Sequence, residues 1–284
     1  MAFFTNYATL SYNGGERSSN TVTGEILETV SISKTAVTTS YSADSKVSYA
    51  VTLVNSGTTP VTDLSVSDNL GAYQLNAMTL YPLQYVSDTL RLFINGVLQP
   101  TPTVTAGPPL SVSGITIPAG GNAVLVYETE TTAYAPLSPD SQIDNTVTVT
   151  GGGVSVPLTA SAAVQSLDQA ELAISKAVSP TVVSPNGQLS YSFEITNSGN
   201  TEAGAADALV LSDTFDPILT ALQVSLDGTA WTAGTQYSYD ETTGSFASTA
   251  GAITVPAATY TQNDDGVWMT SPGRVTLVIT GTLK

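Results

Sequence analysis

Apolar and polar residues alternate along this chain with a period of two, in short runs broken by turns. In VSISK, Val30, Ile32 and Lys34 share one face, and in LSVSD so do Leu64, Val66 and Asp68. In IDNTVTV, the shared face carries Ile143, Asn145, Val147 and Val149. No stretch sustains a helical period. The turns NSG, SPNG, FINGV and PAGG punctuate the runs at the spacing of a β-sandwich.

The runs come in two copies. VSISKTAV (30–37), KVSYAVTLVNSG (46–57) and TDLSVSDNL (62–70) return as LAISKAVS (172–179), QLSYSFEITNSG (188–199) and DALVLSDTF (207–215). From Lys34 to Asn55 is 21 residues, as it is from Lys176 to Asn197. Weaker matches follow: LFINGVLQ with VSLDGTAW, both hairpin-like through Asn-Gly or Asp-Gly, GITIPAG with GAITVPAA, and NAVLVYE with RVTLVIT. The pattern predicts an all-β chain of two tandem Ig-like β-sandwiches, residues 29–168 and 169–284, behind an N-terminal donor segment, residues 1–28.

The second copy stops one or two strands short of the first. After NAVLVYE the first copy continues through IDNTVTVTGGG and VSVPLTASAAV, whereas the second ends at TLVITGTLK. The head of the chain holds two such strands, FTNYATLSY and SSNTVTGEIL. Asn6 precedes Lys34 by 28 residues, and Asn145 precedes Lys176 by 31. An unfilled strand position exposes apolar side chains and unpaired backbone groups. The expectation is that the head of one subunit, with Phe4, Asn6, Ala8 and Leu10 facing inward, fills the second sandwich of the next. Such a heterologous contact generates an open filament unless the rotation closes a ring. Intramolecular closure and a frayed tail are the competing arrangements.

A Lys, an Asp and an Asn therefore fall on the apolar face of the first sandwich: Lys34, Asp68 and Asn145. Lys176 and Asp213 repeat the first two in the second sandwich, and Asn6 of a neighbouring head supplies the third. Two readings of the trio stand open. One is a half-buried Lys–Asp pair with an Asn hydrogen bond, the Lys snorkelling outward. The other is an autocatalytic isopeptide bond: burial lowers the Lys pKa and raises the Asp pKa, and a neutral amine attacks the Asn carboxamide while the protonated Asp shuttles protons. Asn20 is the alternative partner of Lys176, because NTVT occurs at both 20–23 and 145–148.

Composition narrows the function. Formal net charge is −16 with only 7 Lys and Arg, which argues against nucleic-acid binding. The chain has no His and no Cys, so the common general base, the thiol nucleophile and disulfides are all missing. No phosphate loop or dinucleotide fingerprint occurs, and no apolar run is long enough to span a bilayer. No enzyme, cofactor or metal site is predicted. TQNDDGVW (261–268) and SDTFDP (212–217) lack the ligand spacing of a calcium loop, and Trp231, Trp268, Tyr127 and Tyr134 suit core and corner packing better than a glycan-binding face. The N-terminus lacks the basic start and apolar core of a signal peptide, which predicts a trimmed form or another export route.

The ISK strand, the Y-x-V/F-x-L/I-x-N-S-G strand, the L-x-V/L-S-D strand and the closing N-T-V-T segment together resemble a bacterial Ig-like repeat, domain of unknown function eleven. That repeat occurs in tandem on surface and extracellular proteins, especially of Firmicutes. The resemblance implies a structural or adhesive role and carries over no catalytic residue. The combined expectation is the homopolymeric subunit of a pilus-like surface or spore-appendage fibre, joined by donor-strand complementation and possible Lys–Asn isopeptide bonds. The alternative is a monomeric adhesin or spacer that binds a host or glycan ligand.

Overall fold

A computed structural model describes residues 2–26 and 29–284. Leu27 and Glu28, at the expected junction between the head and the first sandwich, lie outside the described residues. The chain forms two compact units: residues 1–136 with 142–166, and residues 137–141 with 167–284. Both are built of strands. The described residues contain a single three-residue helical turn, Ala205–Asp207.

In the first unit one sheet runs in the order Val97–Leu98, Arg91–Ile94, Asn122–Thr131, Lys46–Asn55, Val30–Ala36. The other runs Thr103–Thr105, Leu110–Ile117, Val61–Asp68, Gln142–Gly151, Leu158–Ser166, Ser40–Tyr41. Strict alternation fills the space between them. Val47, Tyr49, Val51 and Leu53 come from one sheet, and Val66, Ile115, Val147 and Val149 from the other; all are buried.

The second unit has a comparable first sheet: Leu172–Ser179, Gln188–Asn197, Gly273–Leu283, Leu219–Leu226, Thr229–Ala230. Its second sheet has three strands only, in the order Ser212–Thr214, Ser245–Ser248, Tyr237–Asp240. Phe193, Phe215, Phe246 and Leu277 fill its core.

Two repeated motifs have visible structural causes. The buried Asn55 donates from Nδ2 to the carbonyls of Thr59 at 2.9 Å and Pro118 at 3.0 Å, while its Oδ1 accepts from Gly57 N at 2.9 Å. Asn197 does the same with Thr201, Pro256 and Gly199. The NSG asparagine thus pins the Pro-Ala loop in both copies, satisfying backbone groups that would otherwise be orphaned. In the hairpins, Asn95-Gly96 and Asp227-Gly228 both take positive φ at each position, the requirement of a tight type I′ turn.

Candidate strand-acceptor groove and buried lysine sites

In the first unit, Lys34 comes from the edge strand of one sheet, and Asp68 and Asn145 come from adjacent strands of the other. Asp68 pairs with Val147 across the sheet, so Asn145 lies on the neighbouring diagonal of the same face. All three groups meet at one carboxylate oxygen. Asp68 Oδ2 accepts from Lys34 Nζ at 2.8 Å and from Asn145 Nδ2 at 3.3 Å, and it also takes the hydroxyl of Tyr127. Its other oxygen accepts from Leu70 N at 2.7 Å. The Lys34 ammonium sits 4.5 Å over the Tyr49 ring.

The site is dry. Lys34, Asp68 and Asn145 are 8%, 2% and 0% exposed. Burial pulls the Lys34 amine from 10.5 down to about 8, with Asp68 opposing the shift. Burial also pushes the Tyr49 and Tyr127 phenols up, which keeps both neutral. Asn145 Oδ1 is buried without a hydrogen-bond partner, an unusual condition that calls for a reason.

The second unit holds the same pair in a different setting. Lys176 Nζ is 2.5 Å from Asp213 Oδ2, but its side chain is 42% exposed. Tyr191 underlies the ammonium at 4.6 Å, as Tyr49 does in the first unit. The position equivalent to Tyr127 is Ile279, because Tyr49 pairs with Tyr127 and Tyr191 pairs with Ile279. Among the described residues no asparagine side chain bonds to Asp213. Nothing in the described structure stands where Gln142–Gly151 and Leu158–Ser166 stand in the first unit.

The consequence is an open groove. Every residue of Leu172–Ser179 is exposed, whereas Val30 and Lys34 of its counterpart are buried. Ile174 is 61% exposed and Val182 86%. The aspartate strand spans eight residues in the first unit, Val61–Asp68, but only Ser212–Thr214 in the second. It is paired on one side only, to Ser245–Ser248. An unpaired edge beside an exposed apolar face is the arrangement natural sheets avoid.

The head of the chain is a two-stranded antiparallel hairpin. Ala2–Asn6 pairs with Val22–Ile26, and Thr9–Tyr12 with Gly15–Ser18. Between these ladders residues 7–8 face residues 19–21, so the second strand carries one extra residue, a bulge. Ser19 closes the bulge: its N–H donates to Ala8 O at 2.8 Å, and its Oγ accepts from Ala8 N at 2.9 Å. The first strand therefore keeps its alternation, with Phe4, Asn6, Ala8, Leu10 and Tyr12 on one face. Asn6 is opposite Val22 there. Phe4 lies across Gly24, where an added Cβ would meet its ring at 2.3 Å. Phe4, Leu10, Tyr12 and Val22 are all more than half exposed.

Tyr127, the third ligand of Asp68, was not assigned to the trio from sequence. The alternation Ala123, Leu125, Tyr127, Thr129 is the signal that turns it inward. Trp231 packs against the second core. In 261–268 the Asn263 carbonyl caps its own turn, accepting from Asp265 and Val267 N. No group of three acidic side chains placed to hold a metal occurs among the described residues, and no helix among them is long and apolar enough to cross a membrane.

No protein-family model matches the chain, and no curated protein does. Among solved structures it is similar to BcpA, the major pilin subunit of Bacillus cereus, at 11% identity and a TM-score of 0.36, covering 95% of this chain and 73% of that one. It is also similar to the pilus backbone RrgB of Streptococcus pneumoniae, at 10% identity and a TM-score of 0.35; 87% of this chain matches 49% of that one. A family 123 glycoside hydrolase of Clostridium perfringens matches at 10% identity and a TM-score of 0.32, with only 28% of its length spanned.

Proposed function

We propose that this chain is the structural subunit of an extracellular filament on a cell or spore surface. It polymerises head to tail by laying the hairpin of residues 2–26 into the open groove of a second copy. What supports the reading is the contrast at the lysine strand: the face that Gln142–Ser166 covers in the first unit is bare in the second. The hairpin brings two strands in the order the groove lacks, with Phe4, Asn6, Ala8 and Leu10 in the places of Ile143, Asn145, Val147 and Val149. Each buried apolar side chain contributes about 1.5–3 kcal/mol, and the aspartate edge gains a ladder of backbone hydrogen bonds.

The trio also supports covalent locking. Neutral Lys34 Nζ attacks Asn145 Cγ, forming the Nζ–Cγ bond. The Cγ–Nδ2 bond breaks, and Asp68 relays the amine proton to the departing nitrogen, which leaves as ammonia. The same exchange between Lys176 and Asn6 of the incoming hairpin would weld subunit to subunit.

Purified full-length protein is expected to form filaments by negative-stain electron microscopy and ladders that survive SDS. Removing residues 2–26 should leave both units folded and abolish every filament. Wild-type protein that stays a single species at high concentration, or filaments indifferent to the deletion, would overturn the reading. Intact mass tests the bond: wild type should be lighter than its sequence by one ammonia for the first unit, and Lys34→Ala should show no such deficit.

A further inference from the structure

The second unit contains an open pocket of about 180 Å³ lined by Leu172, Ile174, Ile195, Leu209, Leu211 and Ile253. A cavity of roughly 150 Å³ admits a benzene ring, so this one has room for an aromatic side chain. It lies between residues 172–174 and residues 209–211, which lead into the aspartate strand, where the donor hairpin would run.

The first unit shows what occupies the equivalent place. There Val149 faces Val66 and Gly151 faces Leu64. Gly151 has φ +83, and a Cβ on it would lie 2.4 Å from Asp63 O; one on Gly152 would lie 2.6 Å from Val61 Cγ1. No side chain larger than hydrogen fits that end of the closing strand. By the repeat, Val66 corresponds to Leu211 and Leu64 to Leu209. Setting Asn6 in the place of Asn145 puts Leu10 beside Leu211 and Tyr12 beside Leu209. The head thus carries a large aromatic where the first unit demands glycine, and the second unit carries a pocket there.

We infer that Tyr12 of a neighbouring subunit seats in this pocket and acts as the key that matches the hairpin to the second unit and bars it from the first. The inference rests on the filament reading and adds to it the residue that fixes the register and the direction of growth. The ring buries against six aliphatic side chains, and the pocket's open mouth leaves the hydroxyl in water.

The test uses full-length chains. Tyr12→Gly is expected to raise the critical concentration for assembly, measured by sedimentation, by on the order of tenfold or more. Tyr12→Phe should stay within about threefold of wild type, and Thr9→Ala, on the opposite face, should change nothing. A photoreactive phenylalanine at position 12 should cross-link between subunits to 172–174 or 209–211. Assembly of Tyr12→Gly at the wild-type concentration, or cross-links to 61–66, would overturn the key while leaving the filament standing. Absence of wild-type filaments would instead remove the reading beneath it.

Discussion

The two units carry the same lysine, the same aspartate and the same aromatic beneath the ammonium, yet only one pair is dry. Lys34 is buried among Tyr49, Asp68, Tyr127 and Asn145, while Lys176 meets Asp213 with much of its side chain in water. The difference does not reside in the pair. It comes from the closing hairpin, Gln142–Ser166, which covers the first lysine strand and has no counterpart over the second among the described residues. A lysine–aspartate contact is therefore ordinary surface electrostatics until two more strands remove the solvent, and only then does its chemistry change.

Substitutions at the two aspartates break the comparison most sharply. Asp68→Ala strands a buried ammonium and is expected to cost about 3–5 kcal/mol in the first unit, read by denaturant unfolding. The same change should prevent ammonia loss in intact mass. A pH series on Asn145→Ala, where no Lys34 bond can form, comes next. The folded amine releases its proton near pH 8 and the unfolded one near 10.5, so the unfolded chain binds more protons between those values. Stability should therefore rise from pH 8 towards 10, by up to about 3 kcal/mol. Above pH 10 the raised phenols of Tyr49 and Tyr127 act with the opposite sign and the gain should reverse. Wild type with the bond formed has no free amine there and should stay flat across pH 8 to 10.

Smaller effects sharpen the contrast. Tyr127→Phe removes the hydroxyl that the second unit lacks, where Ile279 stands, and should cost roughly 1–2 kcal/mol. Asp213→Ala in the unassembled subunit should cost under about 1 kcal/mol, because the side chain of its partner is 42% exposed. If Asp213→Ala proves as damaging as Asp68→Ala, burial is not what separates the units.

Much of this was legible in the alternation. Period two placed Lys34, Asp68 and Asn145 on inward faces because each is flanked two positions away by Val, Ile or Leu, and the pleat leaves no other geometry. The turn chemistry of Asn95-Gly96 and Asp227-Gly228 was equally local. What periodicity cannot carry is a meeting of three strands at one atom: Tyr127 reaches Asp68 across the sandwich, from a strand 59 residues away. Nor could it tell that Leu172 and Ile174, inward by pattern, face solvent, since burial belongs to the covering strands. The bulge in the head hairpin was hidden too. It takes residues 19–21, Asn20 among them, out of the regular ladder.

The position of the lysines on the first strand of each unit has a mechanical consequence. In the proposed fibre, tension would enter each unit through that strand and leave through the hairpin that closes it. Were Lys34 joined to Asn145, and Lys176 to an incoming Asn6, the load would cross from one strand to the next at a single amide. Everything in between, the cores included, would hang slack beside the line of force.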